Sequence, residues 1–214
     1  MTPMAESIMG KPEHINVLII RSGQSEWDRT GRLAGQADLP LCEQSKLELR
    51  DASSLLDGAE LSSILHSGDQ CSKSTAEAYA RVTGGKSKTI DAIADIDLGL
   101  WEGLRWEDLE DKAPKAFREW KENPANVSVP EGESLNEAYS RISLALAKAI
   151  EKLRAPDPGV GVVLRPMAYG LVRCWLTGRP VSELWEVMEG PSAEWHELSR
   201  AQLKQTRELS RVGS

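Results

Sequence analysis

Short strand-like runs at 16–20, 61–65, 89–93, 159–164 and 194–198 are separated by stretches with helical periodicity. That alternation constrains the chain more than any other feature. The first run, Asn16-Val17-Leu18-Ile19-Ile20, is apolar and β-branched and stops at Gly23, as a strand buried on both faces does. Between the runs, 43–56 places Leu47, Leu49, Leu55 and Leu56 among charges, the pattern of an amphipathic helix. A helix is expected over 72–82, with Ala76, Ala78, Tyr79 and Val82 as its apolar positions. Two short helices over 101–122 should break near Pro114, followed by a loop over 123–132. Ser134-Leu135-Asn136-Glu137 reads as a capping box opening a long helix to about Leu153. A helix over 168–177 ends at Gly178 and Pro180, and a short one follows over 181–187. From Ala201 the chain is a polar tail with a basic tip. Strands alternating with helices predict a three-layer α/β/α sandwich with a mostly parallel central sheet. A ligand crevice then lies beyond the carboxyl ends of the strands. Arg21, Ser67, Asp95 and Arg165 all fall at or just after those ends.

At 214 residues the chain fits a single domain over 14–214 behind a flexible N-terminal segment, 1–13. The net charge of −7 and the lack of a basic cluster exclude nucleic acid and anionic membrane as partners. No apolar run is long enough for a membrane span, and the N-terminus lacks the apolar core of a signal peptide. Cys42, Cys71 and Cys174 are widely spaced and odd in number, which points to a reducing cytoplasm rather than to disulfides. His14, His66 and His196 are scattered, so no metal site and no cofactor are expected. Seven Trp against one Phe is an unusual balance that the sequence does not explain.

Arg21-Ser22-Gly23-Gln24-Ser25-Glu26-Trp27-Asp28 resembles the Arg-His-Gly-x-Thr/Ser-x-Trp-Asn signature of the histidine phosphatase superfamily, which includes phosphoglycerate mutases. Four more segments match that family's pattern in order: 35–41, 67–77, Asp95-Ile96-Asp97-Leu98-Gly99-Leu100-Trp101-Glu102-Gly103, and Pro130-Glu131-Gly132-Glu133-Ser134. Each is weak alone; five in register span nearly the whole chain. The resemblance implies a phosphoglycerate mutase-like fold and a site in which one histidine carries the phosphoryl group. A second histidine and two arginines bind its oxygens, and a carboxylic acid protonates the leaving group. The logic is charge placement around oxygens that gain charge in the transition state.

Carried over by position, the resemblance puts Arg21 at the first arginine and Ser22 at the nucleophile. Cys71 stands at the second arginine and Asp95 at the acid glutamate. The second histidine has two registers. Anchored on the strand before it, Arg165 takes its place; anchored on Leu171-Val172-Arg173, Ala168 does. A serine hydroxyl without a base is a poor nucleophile, and no histidine or carboxylate cluster beside Ser22 is evident in the sequence. Cys71 does not fit a cysteine phosphatase, because Glu77 stands where the Cys-x₅-Arg pattern needs arginine. Arg21 either binds an anion with the backbone N–H groups near Gly23 or is a structural arginine paired to Asp95 or another carboxylate. Arg165 either restores a cation or is a surface arginine before a proline turn. His66 is a displaced base or a packed side chain, while Trp27, Trp101 and Trp106 roof the crevice or fill the core. Glu102 and Glu133 look architectural. The expected function is a catalytically inactive pseudophosphatase with a binding or regulatory role. The alternatives are a phosphorylated-ligand sensor and a phosphatase with rewired residues. Candidate partners are a phosphorylated small molecule, a partner protein and a second copy in a homodimer.

Overall fold

The computed structural model describes residues 13–51, 56, 58–153 and 158–212. Five strands form one sheet: β1 (His14–Arg21), β2 (Ser63–His66), β3 (Lys86–Thr89), β4 (Val160–Leu164) and β5 (Ala193–Ser199), in the order β3-β2-β4-β1-β5. All pairings are parallel except β1 with β5. Alternate residues of one strand enter two different apolar clusters. Leu18, Ile20, Ile64 and Val163 join Ala76 and Tyr79 of α3 (Gln70–Thr83). Val17, Ile19, Leu65 and Val162 join the larger cluster, with Ile142 and Leu146 of α6 (Leu135–Glu151) and Tyr169 and Leu171 of α7 (Pro166–Thr177). A strand has a side-chain period of two, so two clusters mean two covered faces and hence three layers.

The remaining helices are α1 (Glu26–Arg29), α2 (Glu43–Glu48), α4 (Trp106–Lys112), α5 (Pro114–Glu122), α8 (Leu184–Met188) and α9 (Arg200–Val212). Ser134 caps α6 as expected, with Glu137 reaching back to its N–H, and Gly178 ends α7 at φ +71°. Glycine at 99 is required: it adopts φ +44°, and a Cβ there would lie 2.3 Å from the Pro130 carbonyl oxygen. This close approach holds the 95–103 loop against the 130–134 turn.

Three expectations need correction. The strand predicted over 89–93 is Lys86–Thr89, and Asp91–Ile93 is a 3₁₀ turn. β3 is an edge strand with every side chain exposed, so it carries no apolar signal, whereas Ile93 is apolar because it plugs the core after the strand. The polar tail from Ala201, for which no element was expected, is helical: α9 buries Leu203 completely, and its Thr206 hydroxyl accepts from Trp175 Nε1 at 2.9 Å. The helix predicted over 43–56 is α2 followed by a 3₁₀ turn over Leu49–Asp51, and 52–55 lies outside the described residues. The segment 1–13, expected to be flexible, also lies outside them except for Glu13. Among the described residues no helix is long and apolar enough to cross a membrane.

Candidate functional site

β1 and β4 lie side by side with Arg21 opposite Leu164, so the residues that follow them share one end of the sheet. The Ser22 N–H donates to the Leu164 carbonyl at 2.7 Å, extending the parallel ladder by one residue. The chain then turns, and each amide of the turn finds a protein acceptor. Gly23 N–H donates to Thr75 Oγ1 at 2.9 Å, Gln24 N–H to Ser45 Oγ at 2.9 Å, and Ser25 N–H to Asp28 Oδ2 at 2.7 Å. The backbone N–H groups near Gly23, expected to help hold an anion, are therefore already satisfied. Ser25 and Asp28 complete a reciprocal capping box on α1.

Arg165 directly precedes α7, and Ala168 lies in the first turn of that helix. The reading of Arg165 as a surface residue is corrected: it is only 3% exposed. Its Nη2 donates to both carboxylate oxygens of Asp28, at 2.8 and 2.9 Å. Its Nη1 is buried without a hydrogen-bond partner among the described residues. Removing one member of such a pair leaves an uncompensated buried charge, at a cost of about 3–5 kcal/mol.

Asp95 is buried beside the start of α7. It accepts the Ala168 N–H at 2.6 Å, and the nearby amides of Ile96 and Met167 also favour its ionised form. Burial pushes its carboxyl up to about 6, against the opposing pull of Arg165 and these three amides. The two registers left open in the sequence thus meet at Asp95, Arg165 through charge and Ala168 through its amide. Ser22 is buried, and its hydroxyl has no partner among the described residues. Cys71 Sγ donates to the Leu39 carbonyl at 3.1 Å, and burial pushes its thiol up to about 12, so it does not ionise near neutrality.

Arg21 does not pair with Asp95 or with any other carboxylate among the described residues. Its Nη2 donates to the Met188 carbonyl at 2.6 Å, its guanidinium lies 5.0 Å from the Tyr169 ring centroid, and Nε is unpartnered. His66 does not reach the site mouth. It is 2% exposed, with Nδ1 2.5 Å from the Ser67 carbonyl and Nε2 3.5 Å from Thr89 Oγ1.

A cavity of about 230 Å³ opens over this floor, where Arg21, Ser22, Asp28 and Asp95 line it. Two carboxylates thus line the same cavity as Ser22, and neither hydrogen-bonds to its hydroxyl. Trp106, Met167, Trp185 and Met188 form its apolar wall, with Arg32 at the side. Trp101 packs instead in the core against Trp120, and Trp27 packs against Gly103. A larger cavity of about 550 Å³, lined by Lys148, Glu151, Lys152, Arg200 and Arg207, contains none of the candidate site residues. Among the described residues no cluster of three or more His, Cys, Asp or Glu side chains is arranged to hold a metal. Sequence reading missed Asp28, Arg32, Trp185 and Met188. Only Asp28 had a usable signal. The resemblance expects Asn there and, in one of its two registers, histidine at Arg165; in that register the two differences together add one negative and one positive charge.

Residues 17–209 match the Histidine phosphatase superfamily (branch 1), and the chain belongs to that family. It is 29% identical to phosphoserine phosphatase 1 of Hydrogenobacter thermophilus over 171 residues, 80% of each chain. It is 24% identical to a probable phosphoglycerate mutase of Salmonella arizonae over 144 residues, 67% of each. A mycobacterial glucosyl-3-phosphoglycerate phosphatase shares the fold at TM-score 0.72 and 22% identity, over 86% of this chain and 89% of that one. These likenesses establish the phosphoglycerate mutase-like architecture; the chemistry has to be argued from this chain's own side chains.

Proposed function

We propose that this chain is a pseudophosphatase, a non-catalytic member of the family whose role is binding or regulation. The observation that carries the reading is the buried Arg165–Asp28 ion pair beside the unpartnered Ser22 hydroxyl. The resemblance places a histidine nucleophile at Ser22 and a phosphoryl-binding histidine near Arg165. In their stead stand a hydroxyl with no hydrogen-bonded base and a cation whose charge Asp28 already neutralises. Cys71, at the position of the second arginine, carries no positive charge and holds its proton. Of the cations the chemistry requires, Arg21 alone matches in type, and its Nη2 serves the Met188 carbonyl. Loss of the nucleophile in a covalent mechanism costs on the order of a million-fold in rate, and loss of an electrostatic donor about a further 10²–10³-fold when taken alone.

One observation favours a second reading, a phosphatase with rewired residues. Asp95, raised to about 6, is placed to give a proton near neutrality, as a leaving-group acid must. The test is hydrolysis of a generic aryl phosphate from acid to neutral pH, with and without divalent metal, beside Arg21→Ala. Equal, background rates for both proteins are expected. Turnover by the wild type that disappears in Arg21→Ala would overturn the pseudophosphatase reading.

A further inference from the structure

One wall of the cavity is apolar, a surface that inorganic phosphate does not need. Trp106 and Trp185 meet edge to face, 6.3 Å between centroids at 82°, and both line the cavity with Met167 and Met188. The wall is rigid. Trp185 Nε1 donates to the Trp120 carbonyl at 2.7 Å, and Trp106 also packs on Phe117 at 6.3 Å. A preformed apolar wall takes up a planar body without ordering cost.

The charges around that wall are unevenly committed. Asp28 is held by Arg165, and Asp95 by the amides at the start of α7. Two arginines that line the same cavity have no carboxylate partner among the described residues. Arg21 donates to the Met188 carbonyl, and Arg32 Nη1 to the Gly103 carbonyl at 2.7 Å. Both are half-buried, so their charge is only partly screened by water. The segment carrying Arg32 is tied to the one carrying Trp106 by the Leu33 N–H to Leu104 carbonyl bond at 2.9 Å and the Trp106 N–H to Gly31 carbonyl bond at 3.3 Å. Cation and ring wall therefore keep a set relation to each other.

We infer that the crevice binds a small anion with a planar apolar body, an aromatic phosphate monoester or carboxylate. Its charged group lies between Arg21 and Arg32, and its ring lies on the Trp106–Trp185 wall. This deepens the pseudophosphatase reading, on which it rests, by naming the chemical class of the bound partner. Transfer of the ring out of water supplies affinity that a bare anion lacks, and the arginines supply charge-assisted hydrogen bonds.

The test is calorimetric titration of the full-length protein with phenyl phosphate, benzoate, phenol and inorganic phosphate, each in parallel with a phosphate-release assay. Phenyl phosphate or benzoate should bind at least about tenfold more tightly than inorganic phosphate and than phenol. Whichever of the two binds more tightly identifies the anionic group. Arg32→Gln should weaken the aryl anion about tenfold, and Trp106→Leu should weaken it while leaving inorganic phosphate unchanged. Equal affinity for inorganic phosphate and phenyl phosphate, equal affinity for phenol, or no heat with either aryl anion up to about 10 mM would overturn the inference. Phosphate release from phenyl phosphate would overturn the pseudophosphatase reading instead. Benzoate has no phosphate to lose, so its binding is measured independently of that outcome.

Discussion

Two arginine–carboxylate pairs, one half-buried and one buried, differ in completeness. Arg141 on α6 leaves no side-chain nitrogen idle. Nε and Nη2 hold Glu133, Nη1 donates to the Ala92 and Ala94 carbonyls at 3.0 Å each, and Nη2 also donates to the Asp95 carbonyl at 3.1 Å. Glu133 in turn accepts the Asp97 N–H at 2.9 Å. Arg165, beneath the cavity, meets one carboxylate through one nitrogen and leaves Nη1 unpartnered. The first pair is a latch that ties the 92–97 loop to α6, with every donor satisfied. The second sits among unsatisfied groups, Ser22 Oγ and Arg21 Nε. Buried polar groups without partners are rare and call for an explanation. Arg21 and Ser22 line the cavity, whereas Ser72 and Trp120, whose Oγ and Nε1 also lack partners among the described residues, do not. The complete Arg141 network is architectural, and the incomplete one lies at the candidate site.

The contrast can be broken in order of effect. Arg141→Ala should destabilise the protein by about 2–3 kcal/mol, because it removes the ion pair with Glu133 and the donor to three carbonyls together; urea unfolding measures this. A loss below about 1 kcal/mol would show that the latch is no stronger than a surface ion pair.

The floor should instead reveal itself in pH dependence. Folding raises the Asp95 carboxyl from 3.8 to about 6, so the folded state holds this proton more tightly than the unfolded chain does. Its contribution to stability is complete below about pH 4 and is lost as pH rises through about 6, a span of about 3 kcal/mol. Asp95→Asn should flatten that slope, as read by denaturant titration at several pH values. A slope unchanged in the variant would assign the pH dependence to other groups.

Asp28→Asn should cost about 2 kcal/mol, since the amide still accepts one bond from Arg165 but leaves its charge unmatched. Adding Arg165→Leu should bring stability back to within about 1 kcal/mol of wild type, because an apolar side chain removes the buried charge altogether. If the double variant is no better than the single one, the Arg165 pair behaves like the Arg141 latch and the comparison fails. The smallest effect is kinetic. Cys71 in the floor and Cys174 in the core are both buried, with thiols pushed up by burial to about 12 and about 11. Native protein should resist alkylation at both. Asp28→Asn should speed labelling of Cys71 but not of Cys174, which peptide mass spectrometry resolves.

Much of the scaffold was readable because its signals are local. The Ser134–Glu137 capping box, the break at Pro114 and the Gly178 helix end each depend on residues within one turn. Arg21 was placed at a strand end by the same local logic, whereas Asp95 follows the 3₁₀ turn Asp91–Ile93 rather than the strand end expected of it. β3 escaped because an edge strand of exposed Lys and Ser has no apolar pattern. α9 was missed because Leu203 is the one fully buried anchor among its described side chains, within a polar sequence.

The sequence by itself determined the alternating α/β order, the strand ends that carry Arg21, Ser22 and Arg165, and the residue types that stand there. It did so because strand and helix preferences, caps and turns act over a few neighbouring residues. Only the tertiary structure decided how those residues are spent. Asp28 lies 137 positions from the arginine it neutralises, Met188 lies 167 positions from Arg21, and Thr75 reaches back 52 positions to take the Gly23 amide. Charge pairing and hydrogen bonding depend on distances of a few ångströms, and those distances exist only after the sheet has brought its strand ends together.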